Sequence, residues 1–204
     1  MDLLMNINIE FYIAGYLIGA IPFGYLLARY LANVDIRSSG SGSIGATNVL
    51  RVLKESDPKL AKRLAIATFA CDALKGPIVM LAAFLAGCDE NVLWTIAVLT
   101  VIGHCFSPYL LFEGGKGIAS GFGVIAAMLP IEAFLGISAW FVVGKKLKIS
   151  SIASLTGVAT ALLLSFALHP ATYHAPFVII GFIILYKHIP NIVRLFRREE
   201  ARVV

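Results

Sequence analysis

The chain has 204 residues, 59% of them hydrophobic and only 14% charged, and its mean hydropathy is +0.86. A 21.9 kDa domain has too much wet surface to hide that much apolar material, so a soluble enzyme, a disordered chain and a nucleic-acid binder are excluded, and an integral membrane protein is expected. The formal charge of +5, from 17 Lys and Arg against 12 Asp and Glu, reads as a topology signal beside apolar spans.

Six apolar segments follow in chain order, at residues 9–32, 64–87, 92–112, 118–144, 152–168 and 175–193, most of them close to the ~20 residues that cross a bilayer. The first has no basic leader region and no cleavage site, so it is expected to stay as a helix. The fourth is 27 residues long but is interrupted by Pro130 and Glu132. Basic residues decide how it runs, because short cytoplasmic loops collect Lys and Arg. Arg29, Arg37, Arg51, Lys54, Lys59, Lys62 and Arg63 surround the first loop, and Lys116 sits in the third. Lys145, Lys146 and Lys148 follow residue 144, and Arg194, Arg197, Arg198 and Arg202 form the tail. The other two, Lys75 and Lys187, fall inside apolar segments. A single crossing through 118–144 would put the last two clusters outside, whereas a hairpin turning near Pro130 puts every cluster inside. The expected fold is therefore all-α: a polytopic integral membrane protein with seven transmembrane helices, N-terminus outside and C-terminus inside, forming a single membrane-embedded domain over residues 1–204. The arms of the hairpin, about 12 and 14 residues, call for tilt or a thinned bilayer. No internal repeat and no inverted pair of broken helices is visible, which argues against a repeat-built transporter. Cys71, Cys88 and Cys105, odd in number and widely spaced, imply neither a disulfide framework nor a metal site.

The polar residues concentrate on the basic side. Gly40, Gly42 and Gly45 satisfy G-x-G-x-x-G, but a membrane helix and not a strand precedes them, so no dinucleotide site is implied. Glycines still allow successive backbone N–H groups to point into one anion-binding concavity, to which Ser41, Thr47 and Asn48 add donors and Arg37 or Arg51 a planar fork. A second cluster runs from Gly103 and His104 to Gly114, Gly115, Lys116 and Gly117. It is not a Walker A loop, because Gly117 stands where Ser or Thr would hold magnesium. Its glycines instead open the N-terminus of the next helix, whose free N–H groups and dipole attract negative charge. Asp72 and Lys75, three residues apart, share a helix face and can neutralise each other. His188, Asn191 and Arg194 form a row on another face, and Ser150, Ser151 and Ser154 open the sixth segment, to cap it or to meet an anion. Together these residues point to a phosphorylated, water-soluble substrate bound at the membrane boundary and joined to an apolar partner arriving from the bilayer.

These motifs resemble the PlsY family, the bacterial acyl-phosphate-dependent glycerol-3-phosphate acyltransferases. The likeness rests on residues 40–48 with Arg51, on Asp72 to Gly76, on Gly103 and His104 through Phe112 to Ala119, on Ser151 and Ser154, and on His188, Asn191, Arg194 and Glu200. Ser43 stands where the family has asparagine, and Arg198 where it has glycine. The resemblance implies transfer of a fatty acyl group from acyl phosphate to the 1-hydroxyl of sn-glycerol 3-phosphate, giving lysophosphatidic acid and inorganic phosphate, with no cofactor and no metal. It implies catalytic roles for His188, Lys116, Asn191 and Arg51. Phosphate binding is implied for Gly40, Ser41, Gly42, Thr47, Asn48, Arg51, His104, Gly114, Gly115, Lys116, Gly117, Ser151, His188 and Asn191. Either histidine, His188 or His104, or a substrate phosphate, could take the hydroxyl proton. The enzyme that makes acyl phosphate is the implied protein partner, and the cytoplasmic (inner) membrane, with the site facing the cytoplasm, the implied location. A transporter or flippase for a phosphorylated metabolite is the rival reading; it would need polar groups reaching the outer side.

Overall fold

A computed structural model describes residues 6–201; residues 1–5 and Arg202 of the basic tail lie outside the described residues. Within them the chain is all-helical, with ten α-helices and no strand. They are α1 (Ile7–Gly19), α2 (Phe23–Leu31), α3 (Ala46–Leu53), α4 (Pro58–Leu85), α5 (Glu90–Cys105), α6 (Ile118–Met128), α7 (Pro130–Leu147), α8 (Ser150–Leu168), α9 (Ala175–Lys187) and α10 (Ile189–Phe196). Local chemistry sets several of the boundaries. Asn6, Asp57 and Asp89 cap α1, α4 and α5 by accepting a hydrogen bond from a backbone N–H of the first turn. Prolines at the starts of α4, α7, α9 and α10 lose no intrahelical bond there.

Three helical stretches, Pro58–Leu85, Glu90–Leu110 and Ser150–Leu168, are long and apolar enough to cross a membrane, or five if each bent pair counts as one. The expected count of seven adds α6, only 11 residues long, and α7, which carries Glu132, Lys145 and Lys146. Two of the expected spans are bent pairs. The first apolar segment breaks between α1 and α2 with a 42° bend, before Pro22 and Phe23, and the last breaks at His188 with a 52° bend, before Pro190.

The reversal near Pro130 is visible in what each end touches. α6 starts where Gly117 packs on Cys105 and Ile184. α7 starts at the far end, where Glu132 meets His169, just past the end of α8, and it runs back until Gly144 lies against Ala153 near the start of α8. Close approach between helices is made by small residues, as membrane interiors favour. Gly136 and Gly157 face each other across α7 and α8, and Gly123 of α6 lies on the backbone of Ala73 in α4. The core is built around Ile96, Ala97 and Val101 of α5, Val124 of α6 and Ile180 of α9, while Ile78, Leu81, Phe84, Leu163 and Phe182 remain exposed on outer faces. Such a continuous apolar exterior suits lipid contact.

Candidate active site

The segment between α2 and α3 is shaped by one buried side chain. Asn48, only 2% exposed, donates from Nδ2 to the carbonyls of Ile36 (2.9 Å), Ser39 (3.1 Å) and Ser43 (2.8 Å), and its Oδ1 accepts from the Ser41 N–H at 2.8 Å. Gly40, at φ 62°, adopts the left-handed conformation, and a side chain there would strike Asn48 Oδ1. The asparagine expected to donate to an anion thus spends its amide on holding the loop.

That loop forms one wall of a cavity of about 690 Å³. Gly40, Ser41, Thr47, Asn48, Arg51, His104, Lys116, Ser151, His188 and Asn191 all line it, so four distant parts of the chain meet there. Gly42 and Gly114 line a neighbouring depression with Lys116, Asn191 and Arg194. Gly115 and Gly117 line neither: Gly115 packs beneath the His104 imidazole and Gly117 against Cys105. Of the two arginines considered for the first loop, Arg51 reaches the cavity. Arg37 is held by Asp35 at 2.7 Å and lies over the Tyr25 ring.

The cavity changes character with depth. At its mouth stand the cations Arg51, Lys116 and Arg194 with the hydroxyls of Thr47, Ser150, Ser151 and Ser154; Thr47 Oγ1 and Ser150 Oγ are 3.5 Å apart, tying the start of α3 to that of α8. Lys116 and Arg51 keep their donors free of hydrogen bonds to the described residues. Burial disfavours the Lys116 ammonium, and Arg194 and Arg51 disfavour it further against the opposing pull of Glu200, bringing its pKa down to about 8. Farther along α6 to α9 from these polar groups, the walls become Ile125, Ala133, Gly136, Ile137, Val158, Ala161, Phe177 and Ile180. A polar, cationic mouth continuous with an apolar shaft fits a molecule with an anionic head and a hydrocarbon tail.

The two candidate histidines differ in what their ring nitrogens touch. His104 Nδ1 lies 2.8 Å from Lys75 Nζ, which also meets Asp72 Oδ1 at 3.1 Å, and all three side chains are buried. An ammonium can only donate, so His104 accepts at Nδ1 and that lone pair is occupied. Asp72 and Lys75 do pair, as their spacing predicts, and the pair extends to His104. His188, 2% exposed at the bend between α9 and α10, lies 2.8 Å from the Ile184 carbonyl through Nδ1. A carbonyl only accepts, so Nδ1 carries the proton and neutral His188 keeps a free lone pair on Nε2, on a residue that lines the cavity.

Glu200 is the residue whose importance the sequence pattern understated. Its Oε1 accepts from Ser151 Oγ (2.8 Å) and Asn191 Nδ2 (2.6 Å), and its Oε2 from Arg194 Nε (2.7 Å). Burial would raise its pKa, but these hydrogen bonds and the Arg194 charge hold it below the usual carboxylate range. The carboxylate thereby fixes the α8 start and the α10 row side by side. Glu200, next to Glu199 and after Arg194, Arg197 and Arg198 in the tail, carries no local signal of this. Nor does anything distinguish Gly136, Ala161 or Phe177 from other apolar positions in their segments.

A family model described as "Glycerol-3-phosphate acyltransferase" matches residues 9–198. A protein of that name from Sulfurimonas denitrificans is 59% identical over 204 residues, covering 100% of both chains, and one from Wolinella succinogenes is 57% identical over 208 residues, again covering 100% of both. Among solved structures, the glycerol 3-phosphate form of PlsY, described as an integral membrane glycerol 3-phosphate acyltransferase, is 35% identical with a TM-score of 0.87, covering 97% of this chain and 96% of that one. Its lysophosphatidic acid form is 34% identical with a TM-score of 0.85, covering 97% and 95%.

Proposed function

The chain belongs to the glycerol-3-phosphate acyltransferase family, and from that premise we propose how it works: it transfers a fatty acyl group from acyl phosphate to the 1-hydroxyl of sn-glycerol 3-phosphate, releasing lysophosphatidic acid and inorganic phosphate. The observation that carries this reading is the cavity itself, whose cationic mouth opens directly into an apolar shaft. The whole chain acts as one membrane-embedded domain. It has seven spans, with the N-terminus outside and the basic clusters, the C-terminus and the cavity mouth on the cytoplasmic side of the inner membrane. Soluble glycerol 3-phosphate enters from the cytoplasm and acyl phosphate from the bilayer, supplied by the enzyme that makes it.

The hydroxyl oxygen attacks the acyl carbonyl carbon, the carbon–oxygen bond to phosphate breaks, and phosphate departs with the electron pair. Because the acyl donor is a mixed anhydride with a good leaving group, positioning and charge neutralisation do most of the work. Lys116 and Arg51, with uncommitted donors, hold phosphate oxygens, joined by Ser41, Thr47 and the backbone of the two glycine-rich loops. Ser151 and Asn191, oriented by Glu200, complete the mouth, while Asn48 acts by shaping the loop. The hydroxyl proton has two acceptors, an oxygen of the substrate phosphate and Nε2 of His188; the occupied Nδ1 of His104 supports a positioning role for that residue instead. A His188→Ala variant with near-normal turnover at saturating substrate, and an unchanged pH profile, would assign the proton to phosphate.

The test is phosphate release by the purified protein given palmitoyl phosphate with and without sn-glycerol 3-phosphate, with the lipid product weighed by mass spectrometry. Release that needs both substrates and yields lysophosphatidic acid is expected. Release without acceptor would identify a hydrolase, and no release by folded protein would favour a transporter.

A further inference from the structure

Two histidines line the cavity, and the protein fixes their protons in opposite senses. His188 gives its Nδ1–H to the Ile184 carbonyl and keeps a lone pair on Nε2. His104 of α5 is held the other way round by two residues of α4. Its Nδ1 lies 2.8 Å from Lys75 Nζ, and that ammonium is anchored on Asp72 Oδ1 at 3.1 Å and on the Ile21 carbonyl at 3.4 Å. Lys75 has only protons to offer, so Nδ1 presents a lone pair. A neutral imidazole with a bare Nδ1 carries its one proton on Nε2. Asp72 Oδ1 is also 3.7 Å from His104 Nδ1. Without the ammonium, that carboxylate would draw the proton to Nδ1 and leave Nε2 bare. Lys75 thus decides which tautomer exists, which gives a buried ion pair in an apolar span a purpose besides its own neutrality.

The Nε2 edge of the ring is turned to the second glycine-rich loop. The Gly115 N–H donates to the His104 carbonyl at 3.0 Å, holding loop and ring in register, and a side chain at 115 would strike Nε2. Nε2 makes no hydrogen bond to the described residues, yet it is not sealed from the cavity that His104 lines together with Lys116. Resting on the reading that this cavity binds phosphorylated substrates, we infer that Lys75, anchored by Asp72, is a positioning residue that locks His104 as a hydrogen-bond donor, with Nε2–H directed at an anionic oxygen of the substrates. Arg51 and Lys116 supply charge there, and His104 supplies a directed N–H that keeps its proton. The oxygen belongs to a phosphate, in which case losing the donor raises KM, or to the carbonyl as it becomes an oxyanion, in which case it lowers kcat.

The experiment pairs NMR of protein carrying isotope-labelled histidine with acyltransferase kinetics. His104 signals are identified by their loss in His104→Gln. In the parent, His104 is expected to carry its proton on Nε2, and in Lys75→Met on Nδ1. The double variant Lys75→Met with Asp72→Asn, which leaves no unpaired buried charge, is expected to show the same inversion, because the amide oxygen at 72 still accepts from Nδ1; it keeps the test open if the single variant folds poorly. In the assay, His104→Ala and the Lys75 variants are expected to lose about 10- to 100-fold in kcat/KM, while His104→Gln, which keeps an N–H donor, retains most of the activity. A parent protonated on Nδ1, Lys75 variants that keep the parent tautomer, or His104→Ala within threefold of the parent would each overturn the inference. So would a folded His104→Gln that loses as much as His104→Ala, since the ring would then serve packing alone. If the parent turns over no substrate, the acyltransferase reading fails, while the tautomer and its inversion are still read in the spectrum.

Discussion

Asn48→Asp is the substitution that most sharply separates loop shaping from substrate binding at position 48. Aspartate is nearly isosteric and keeps an acceptor for the Ser41 N–H, but it replaces the Nδ2 donors with an oxygen facing the carbonyls of Ile36, Ser39 and Ser43. The two Nδ2 hydrogens, shared among three carbonyls, contribute about 1 kcal/mol net each, or about 2 kcal/mol together. Repulsion between a buried carboxyl oxygen and three carbonyl oxygens adds to the loss. Since about 1.4 kcal/mol is a factor of ten, the opened form of the loop becomes at least ~25-fold more populated. Opening frees exposed Arg37 and half-buried Arg51, so limited trypsinolysis in detergent reads the loop while the acyltransferase assay reads the site. Cleavage in this segment is expected to accelerate strongly, and kcat/KM for glycerol 3-phosphate to fall by about 10- to 100-fold. If cleavage is unchanged while KM rises, Asn48 binds substrate and the loop argument is refuted; if both stay within threefold of the parent, its four hydrogen bonds are dispensable.

Three further outcomes follow from the site. With Lys116 titrating near 8, its phosphate-binding ammonium is present below that pH and lost above it; KM for the substrate it holds should rise about tenfold between pH 7 and 9, whereas Lys116→Arg, charged throughout, should give a flatter profile. Glu200→Ala removes three short charge-assisted hydrogen bonds and should lower kcat/KM by about 100-fold, with Glu200→Gln intermediate because Oε1 still serves Ser151 and Asn191; alanine activity within threefold of the parent would show that the carboxylate positions nothing. Lys75→Met leaves Asp72 buried without its partner and should cost about 3–5 kcal/mol, read as a lowered thermal midpoint, while the double variant with Asp72→Asn should recover much of it.

The sequence by itself determined the class of molecule, the helical segments and the set of segment ends at which the polar residues gather. Those conclusions rest on local quantities: the length of apolar runs, the uneven distribution of Lys and Arg, and the clustering of Gly, Ser and His near one set of ends. The reversal at Pro130 was likewise legible, because charge on the two arms admits only one arrangement with every basic cluster on the same side. Tertiary structure decided the rest. That Asn48 binds carbonyls, that Arg51 and not Arg37 reaches the cavity, and that His104 is engaged by Lys75 while His188 keeps a free nitrogen all depend on groups many residues apart meeting within hydrogen-bond distance. The breaks at Pro22 and His188 also lay beyond the pattern, since a hydropathy window averages over a bend. The apolar shaft was the least visible feature. Its walls use residue types, alanine, glycine and phenylalanine, that recur throughout the apolar segments, and only the packing of α6 to α9 leaves a space between them.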